Sequence, residues 1–284
     1  MRGLLLATVA LGAMSIPAAA GIDCGAPIAG ADALTAPVVL LGETHGTREI
    51  PEAFARLVCA TAAARPGKTI LVGLEIPASG QDLIDALVKG AGGPDAKKAL
   101  LAQEFWQREY QDGRSSEAML HLLDELRRFK GAGLAIEVRA MDPPGSPGQD
   151  ERDAKMAGTI LAAIESVNPA QTLVLCGDVH SRVQKGFPWD HAASYVPLGA
   201  RLAAKHGTIG LNTSVASGTA WVCVTPKAEE CGPKKALARG ATGVLPRFGL
   251  DAAAAATSGW SGSLFMQEVS ASPPARQAGP GTSH

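Results

Sequence analysis

Four stretches of this chain are apolar along most of their length: "APVVLLG", "KTILVGLE", "GLAIEVRAMD" and "QTLVLCGD". Segments with helical spacing lie between them. In "REIPEAFARLVCATAAARPG", Phe54, Leu57 and Val58 recur at three and four, and Pro66-Gly67 stops the run. Strand-like runs that are apolar on both faces and separated by helices predict a parallel sheet covered on both sides. The expected fold is therefore α/β, a three-layer α/β/α arrangement around a mostly parallel sheet. Ser79 can cap the helix in "GQDLIDALVKG", Pro94 can open "DAKKALLAQEFWQREY", and Ser115 or Ser116 can cap "EAMLHLLDELRRFKG". Toward the C-terminus the pattern changes. "GTIGLNTS" and "GTAWVCVT" lie close together and are expected to pair antiparallel at a sheet edge, with "GSLFMQEV" as a last strand.

The boundaries follow from composition. Residues 1–20, "MRGLLLATVALGAMSIPAAA", have one Arg, an apolar stretch and a small-residue end, the layout of a secretory signal peptide. Residues 21–271 are expected to form one domain, and 272–284, "SPPARQAGPGTSH", a disordered tail. The chain of 284 residues is 46% hydrophobic and 19% charged, enough apolar material for a large core. Its formal net charge is −1 with scattered basic residues, so no nucleic-acid partner is expected. No later run is long and apolar enough to span a bilayer. The cysteines suit an oxidising compartment, so the expected location is periplasmic or secreted. Cys223 and Cys231 bracket a polar loop, Cys24 and Cys59 are a possible second pair, and Cys176, inside an apolar run, reads as a buried free thiol.

In an open parallel sheet, ligands bind at the carboxyl ends of the strands. Every strand predicted above delivers a carboxylate there: Glu43, Glu75, Asp142 and Asp178. Two also deliver a histidine, through Gly42-Glu43-Thr44-His45 and Gly177-Asp178-Val179-His180. A single acid after a strand is often only a helix cap. Four at one rim must be paired, solvated or bound to a metal. Gly42 and Gly177 permit a sharp turn and a close approach to the backbone. The chain has no G-x-S-x-G elbow, no phosphate loop, no G-x-G-x-x-G and no H-E-x-x-H, which disfavours a serine hydrolase or a nucleotide enzyme.

The ordered set "LLGETHGT", "LEIP", "QDGRSSEAML", "AMD", "RDAKMA" and "LCGDVHS" resembles the superfamily that joins Tiki-type proteases, erythromycin esterases and ChaN-type haem-binding proteins. It is most similar to exported bacterial ChaN-like members, over roughly Val38 to Arg182. The resemblance implies a parallel-sheet core with its site at the rim described above. In the esterase branch the histidine matching His45 activates water without a metal. In the Tiki branch two G-x-x-H strings and a glutamate, matching His45, His180 and Glu75, are tied to a divalent metal. In the ChaN branch haem is held through a tyrosine, and only Tyr110 and Tyr195 exist here.

The leading expectation is a secreted hydrolase that directs water at an ester or amide of a small-molecule or peptide substrate. The expected catalytic residues are His45, Glu75, Glu43 and His180. A metal set of His45, Glu75, His180 and Asp178 would suit zinc, manganese or cobalt. Arg114 and Asp142 are the substrate-binding candidates; Arg114 can instead pair with a site carboxylate or lie solvated. Arg152 and Asp153 can face the rim from a helix start, but the preferred reading is a solvent-facing pair; His121 reads as a helix-packing residue. The alternative function is a haem or iron-binding uptake protein without catalysis.

Overall fold

A computed structural model describes residues 21–277, apart from 91, 146–147, 226, 237–242 and 244. The expected signal peptide and the last seven residues of the expected tail lie outside the described residues. Eight strands form one sheet: β1 Val38–Glu43, β2 Ile70–Pro77, β3 Ile136–Asp142, β4 Gln171–Gly177, β5 Thr208–Cys223, β6 Cys231–Lys235, β7 Arg247–Leu250 and β8 Gly262–Val269. Their order is β3-β2-β4-β1-β5-β8-β7, with β6 paired to β5 off this path. The pairs from β3 through to β8 are parallel. An antiparallel C-terminal edge is present as expected, but it is formed by β7, which the sequence pattern does not mark, on β8; β6 joins β5 antiparallel.

The helices are α1 Glu49–Ala63, α2 Gln81–Lys89, α3 Pro94–Leu101, α4 Glu104–Gln107, α5 Glu117–Gly131, α6 Gln149–Val167, α7 Leu198–Ala203 and α8 Ala252–Ser258. Strand alternation sorts the core into two layers. Val39, Leu41, Val72, Leu74, Leu173 and Leu175 pack with residues of α1, α2 and α5. Val38, Leu40, Val174 and Cys176 pack with Met156 and Ile160 of α6 and Leu198 and Leu202 of α7. This is why the central strands are apolar at every position. Connections that run one way along the sheet put their helices on one face, and those that return put theirs on the other, as right-handed crossovers require.

Ser116 caps α5 through the Met119 N–H, and Pro94 opens α3. Ser79 makes no cap, because a 3-10 turn over Ala78–Gly80 precedes α2. The two strands expected at "GTIGLNTS" and "GTAWVCVT" are one 16-residue strand, β5, whose first part pairs with β1 and whose end pairs with β6. Residues 272–277, assigned to the tail from sequence, continue the packing: Ser272 and Ala275 are buried, and Pro274 bridges to Ser116. Disulfides join Cys24 to Cys59 and Cys223 to Cys231, and Cys176 is a buried free thiol. No helix of the described residues is long and apolar enough to cross a membrane.

The register sets the rim. Gly42 faces Cys176 and Glu43 faces Gly177 across β1 and β4. A Cβ on Gly42 would stand 2.8 Å from the Asp178 Cα and 2.9 Å from the Leu211 carbonyl oxygen, both backbone atoms. Gly42→Ala should therefore destabilise the protein by about 1–3 kcal/mol, the usual range for overpacking. Urea unfolding checks this, and a loss below about 0.5 kcal/mol would mean that the strand ends are not so tightly apposed.

Candidate active site

Glu75, at the end of β2, is buried and sits between two histidines. His45 Nε2 lies 3.6 Å from its Oε2, and His180 Nε2 lies 3.8 Å from its Oε1. The three residues of the paired strings and β2 thus meet at one place on the rim. The floor is the Gly177 backbone: its N–H donates to Glu75 Oε2 at 2.7 Å. A Cβ at this position would lie 2.9 Å from His45 Nε2, so glycine gives the imidazole its room.

Each histidine has its own carboxylate. Glu43 Oε1 is 2.7 Å from His45 Nδ1. Asp153 Oδ1 is 2.6 Å from His180 Nδ1, in the first turns of α6. The other oxygen of Asp153 accepts from the Tyr195 hydroxyl at 2.6 Å and the Leu198 N–H at 2.8 Å. Asp153 is fully buried, so its reading as a solvent-facing residue is corrected.

Arg152 is corrected likewise. Its guanidinium donates to Glu75 Oε1 at 2.6 Å and Asp142 Oδ1 at 2.7 Å, and Nη1 lies 2.9 Å from His180 Nε2. Arg114 donates to the other Asp142 oxygen at 2.8 Å and to Asp112 at 2.8 and 3.1 Å. Arg114 therefore pairs with a site carboxylate. Both oxygens of Asp142 are engaged by arginines, which moves it from substrate contact to holding the arginines in place.

The position of α6 could have been anticipated. It is the helix that follows β3, so its N-terminal turn must start near the same rim. Residue type alone gave no warning, because an Arg-Asp pair at a helix start is usually solvated.

The expected metal set does not assemble. Asp178 Oδ1 accepts from the Thr213 N–H at 3.4 Å, toward β5. Among the described residues no group of three His, Cys, Asp or Glu side chains is arranged to hold a metal. Both oxygens of Glu75 already accept hydrogen bonds, the Arg152 guanidinium lies between Glu75 and His180, and Arg114 stands 3.5 Å from Glu75 Oε1. A further cation there would meet repulsion from both. The residues present do not fit a metal at this position.

Haem ligation through a tyrosine loses one of its two candidates. Tyr195 is buried and donates to Asp153, and burial together with that carboxylate pushes its phenol far above the ordinary value. Tyr110 is exposed, in the loop before Arg114. His121 is also exposed, not packed, while Trp106 is core.

The two histidines differ in what they offer. The second ring nitrogen of His180 is covered by Arg152 and by the Gln149 amide at 3.2 Å. His45 Nε2 faces only the Glu75 carboxylate among the ion pairs of the described residues, at 3.6 Å, and its side chain is 22% exposed. Burial alone would lower the His45 pKa. The Glu75 charge and the Glu43 hydrogen bond outweigh it and raise the pKa to about 10. Burial would raise Glu75, but the histidines and Arg152 hold it well below the usual carboxylate range.

No family model matches the chain, and no curated protein matches it. Solved structures do. A succinoglycan biosynthesis protein is 8% identical with a TM-score of 0.56, over 84% of this chain and 89% of that one. A Bacillus cereus protein is 15% identical with a TM-score of 0.51, over 84% and 90%. An erythromycin esterase variant, EreC in its open conformation, is 11% identical with a TM-score of 0.52, over 71% and 76%. At these identities the likeness is one of fold. That fold is the one implied by the motifs' resemblance to the superfamily containing erythromycin esterases.

The raised His45 pKa has a consequence for stability. A free histidine titrates near 6.5 and this one near 10, so the folded state holds the extra proton in between. The contribution is fully present below about pH 6.5 and is lost as pH rises through about 10. Wild-type unfolding free energy should fall by up to about 1.4 kcal/mol per pH unit over that window. His45→Gln should flatten the profile in guanidinium unfolding; an equally steep fall in the variant would contradict the assignment.

Proposed function

We propose that the protein is a hydrolase that uses water against an ester or amide carbonyl, with His45 as general base and no metal in the step. The observation that carries this reading is the Glu43–His45 pair: Nδ1 is fixed at 2.7 Å by a buried carboxylate, and Nε2 stands 3.6 Å from Glu75 on a side chain that is 22% exposed. That is the arrangement of a base and its orienting group. In its unprotonated form His45 takes a proton from water at Nε2, and Glu43 stabilises the imidazolium that results. The water oxygen attacks the carbonyl carbon, and the proton returns from His45 to the leaving group. Glu75, compensated by Arg152, fixes the imidazole's other neighbour and keeps the proton affinity of His45 high. His180, Asp153, Arg114 and Asp142 hold Glu75 and Arg152 in position.

The substrate class is a small molecule or peptide, as the superfamily resemblance implies. An oxidising compartment, the periplasm or the exterior, is supported by the two disulfides.

The pKa of His45 near 10 makes the reading testable. The base must lose its proton, so log kcat/KM against a neutral ester should rise with unit slope from about pH 7 and level near the His45 pKa. His45→Gln should lower kcat/KM about 10²–10⁴-fold. Assays with nitrophenyl esters and chromogenic peptides across this range check both. A plateau already reached near pH 7.5, or a variant as active as wild type, would rule out His45 as the base.

A further inference from the structure

A surface groove of about 840 Å³ lies between α6 and α7, beside residues 183–185. None of the rim cluster lines it. Ala157, Gly158 and Leu161 of α6 and Ala200 and Ala204 beside them on the α7 side form its apolar floor. The volume is within the range of small-molecule sites. Between Ala154 and Leu161 the α6 face of the groove extends about 10 Å.

Charge sets the groove apart. No acidic side chain lines it, whereas Lys185, Arg201 and Lys205 do. Arg201 is engaged by Asp150 at 2.8 Å and by the Val196 carbonyl at 2.9 Å. Lys185 and Lys205 are exposed and carry their charge without an ion pair among the described residues. On a chain of net charge −1, an apolar hollow with an all-cationic border is a local feature.

Gly158 adds a separate observation. It lies in the middle of α6, where glycine weakens a helix relative to alanine. Its backbone is not left-handed, and a Cβ there would meet nothing within 4 Å. Neither conformation nor crowding calls for glycine. What the missing side chain does is leave the groove open.

We infer that this groove binds a medium-length aliphatic carboxylate, with the alkyl chain along the Ala157–Leu161 floor and the carboxylate at Lys185 and Lys205. The floor is aliphatic, with no aromatic ring to stack a planar ligand, and so suits an unbranched chain. Strongly hydrated lysine ammonium groups suit an anionic end as point charges. The site is distinct from the rim and does not depend on the reaction proposed there.

Calorimetric titration of the full chain, disulfides intact, with decanoate, hexanoate and decanol tests this. Decanoate should bind at one site, at least about tenfold tighter than hexanoate, because buried methylenes drive the association. Lys185→Glu combined with Lys205→Glu should weaken decanoate about tenfold or more by reversing the local charge, and leave decanol unchanged. Gly158→Leu should abolish binding of both while the melting temperature holds or rises, since leucine favours the helix and has room. The inference is overturned by wild type that shows no saturable decanoate binding, or by decanoate binding equal in wild type and both variants. It is also overturned if the wild type self-associates and Gly158→Leu makes it monomeric, which would give the groove to a second copy.

Discussion

The guanidinium of Arg152 is the charge around which the rim is arranged. Glu75 and Asp142 end neighbouring strands, and neither carboxylate is accessible enough to be solvated. Two buried anions of this kind destabilise a fold unless cations and hydrogen bonds compensate them. Arg152 reaches both, at 2.6 and 2.7 Å, and touches His180 with its remaining nitrogen. A planar fork suits this three-way contact, and a lysine would not reproduce it. The arrangement is not primarily a device for stability, because a hydrophobic replacement of such a network is often no less stable. Its effect is on the basicity of His45. With Glu75 held ionised and fixed, His45 lies between two carboxylates and becomes unusually basic.

The backbone makes this placement possible. Parallel strands bring residues distant in sequence to one edge, and the register opposes Glu43 to Gly177. The glycine there both donates its N–H to Glu75 and leaves room for His45. The repeated string is therefore only partly a repeat of function. In the first copy the acid holds the histidine. In the second, Asp178 turns toward β5, and the partner of His180 comes instead from α6 as Asp153. Two carboxylate–histidine pairs result; His180 Nε2 is covered by Arg152 and Gln149, whereas His45 Nε2 stands 3.6 Å from Glu75 on a partly exposed side chain.

Much of this was legible in the amino-acid order. Apolar runs of strand length mark β1 to β4, because burial on both faces removes the polar alternation. The carboxylates at their ends mark the rim, because strand direction is set by the parallel fold. Local context marks the Cys223–Cys231 loop and the buried Cys176, whereas Cys24 and Cys59, 35 positions apart, read only as a possible pair because sequence does not fix connectivity. β5 was less legible: Gly and Ser interrupt its pattern, and its first part lies between β1 and β8 in the parallel sheet while its last five residues, Thr219–Cys223, turn to pair antiparallel with β6. Arg152 and Asp153 were hidden for a different reason. Topology brings the start of α6 near the rim, but nothing in the "RDAKMA" string distinguishes side chains facing the rim from ones facing water. The metal expectation failed at the same point, since it assumed that the cation at this rim would be an ion and not a side chain.

In the proposed site Arg152 supplies, between Glu75 and His180, the positive charge that a divalent ion would otherwise supply. Chelator-treated wild-type protein titrated calorimetrically with zinc, manganese or cobalt tests it directly. No stoichiometric binding of any of the three is expected at neutral pH. Binding of one ion per chain, lost in both His45→Ala and His180→Ala, would contradict it.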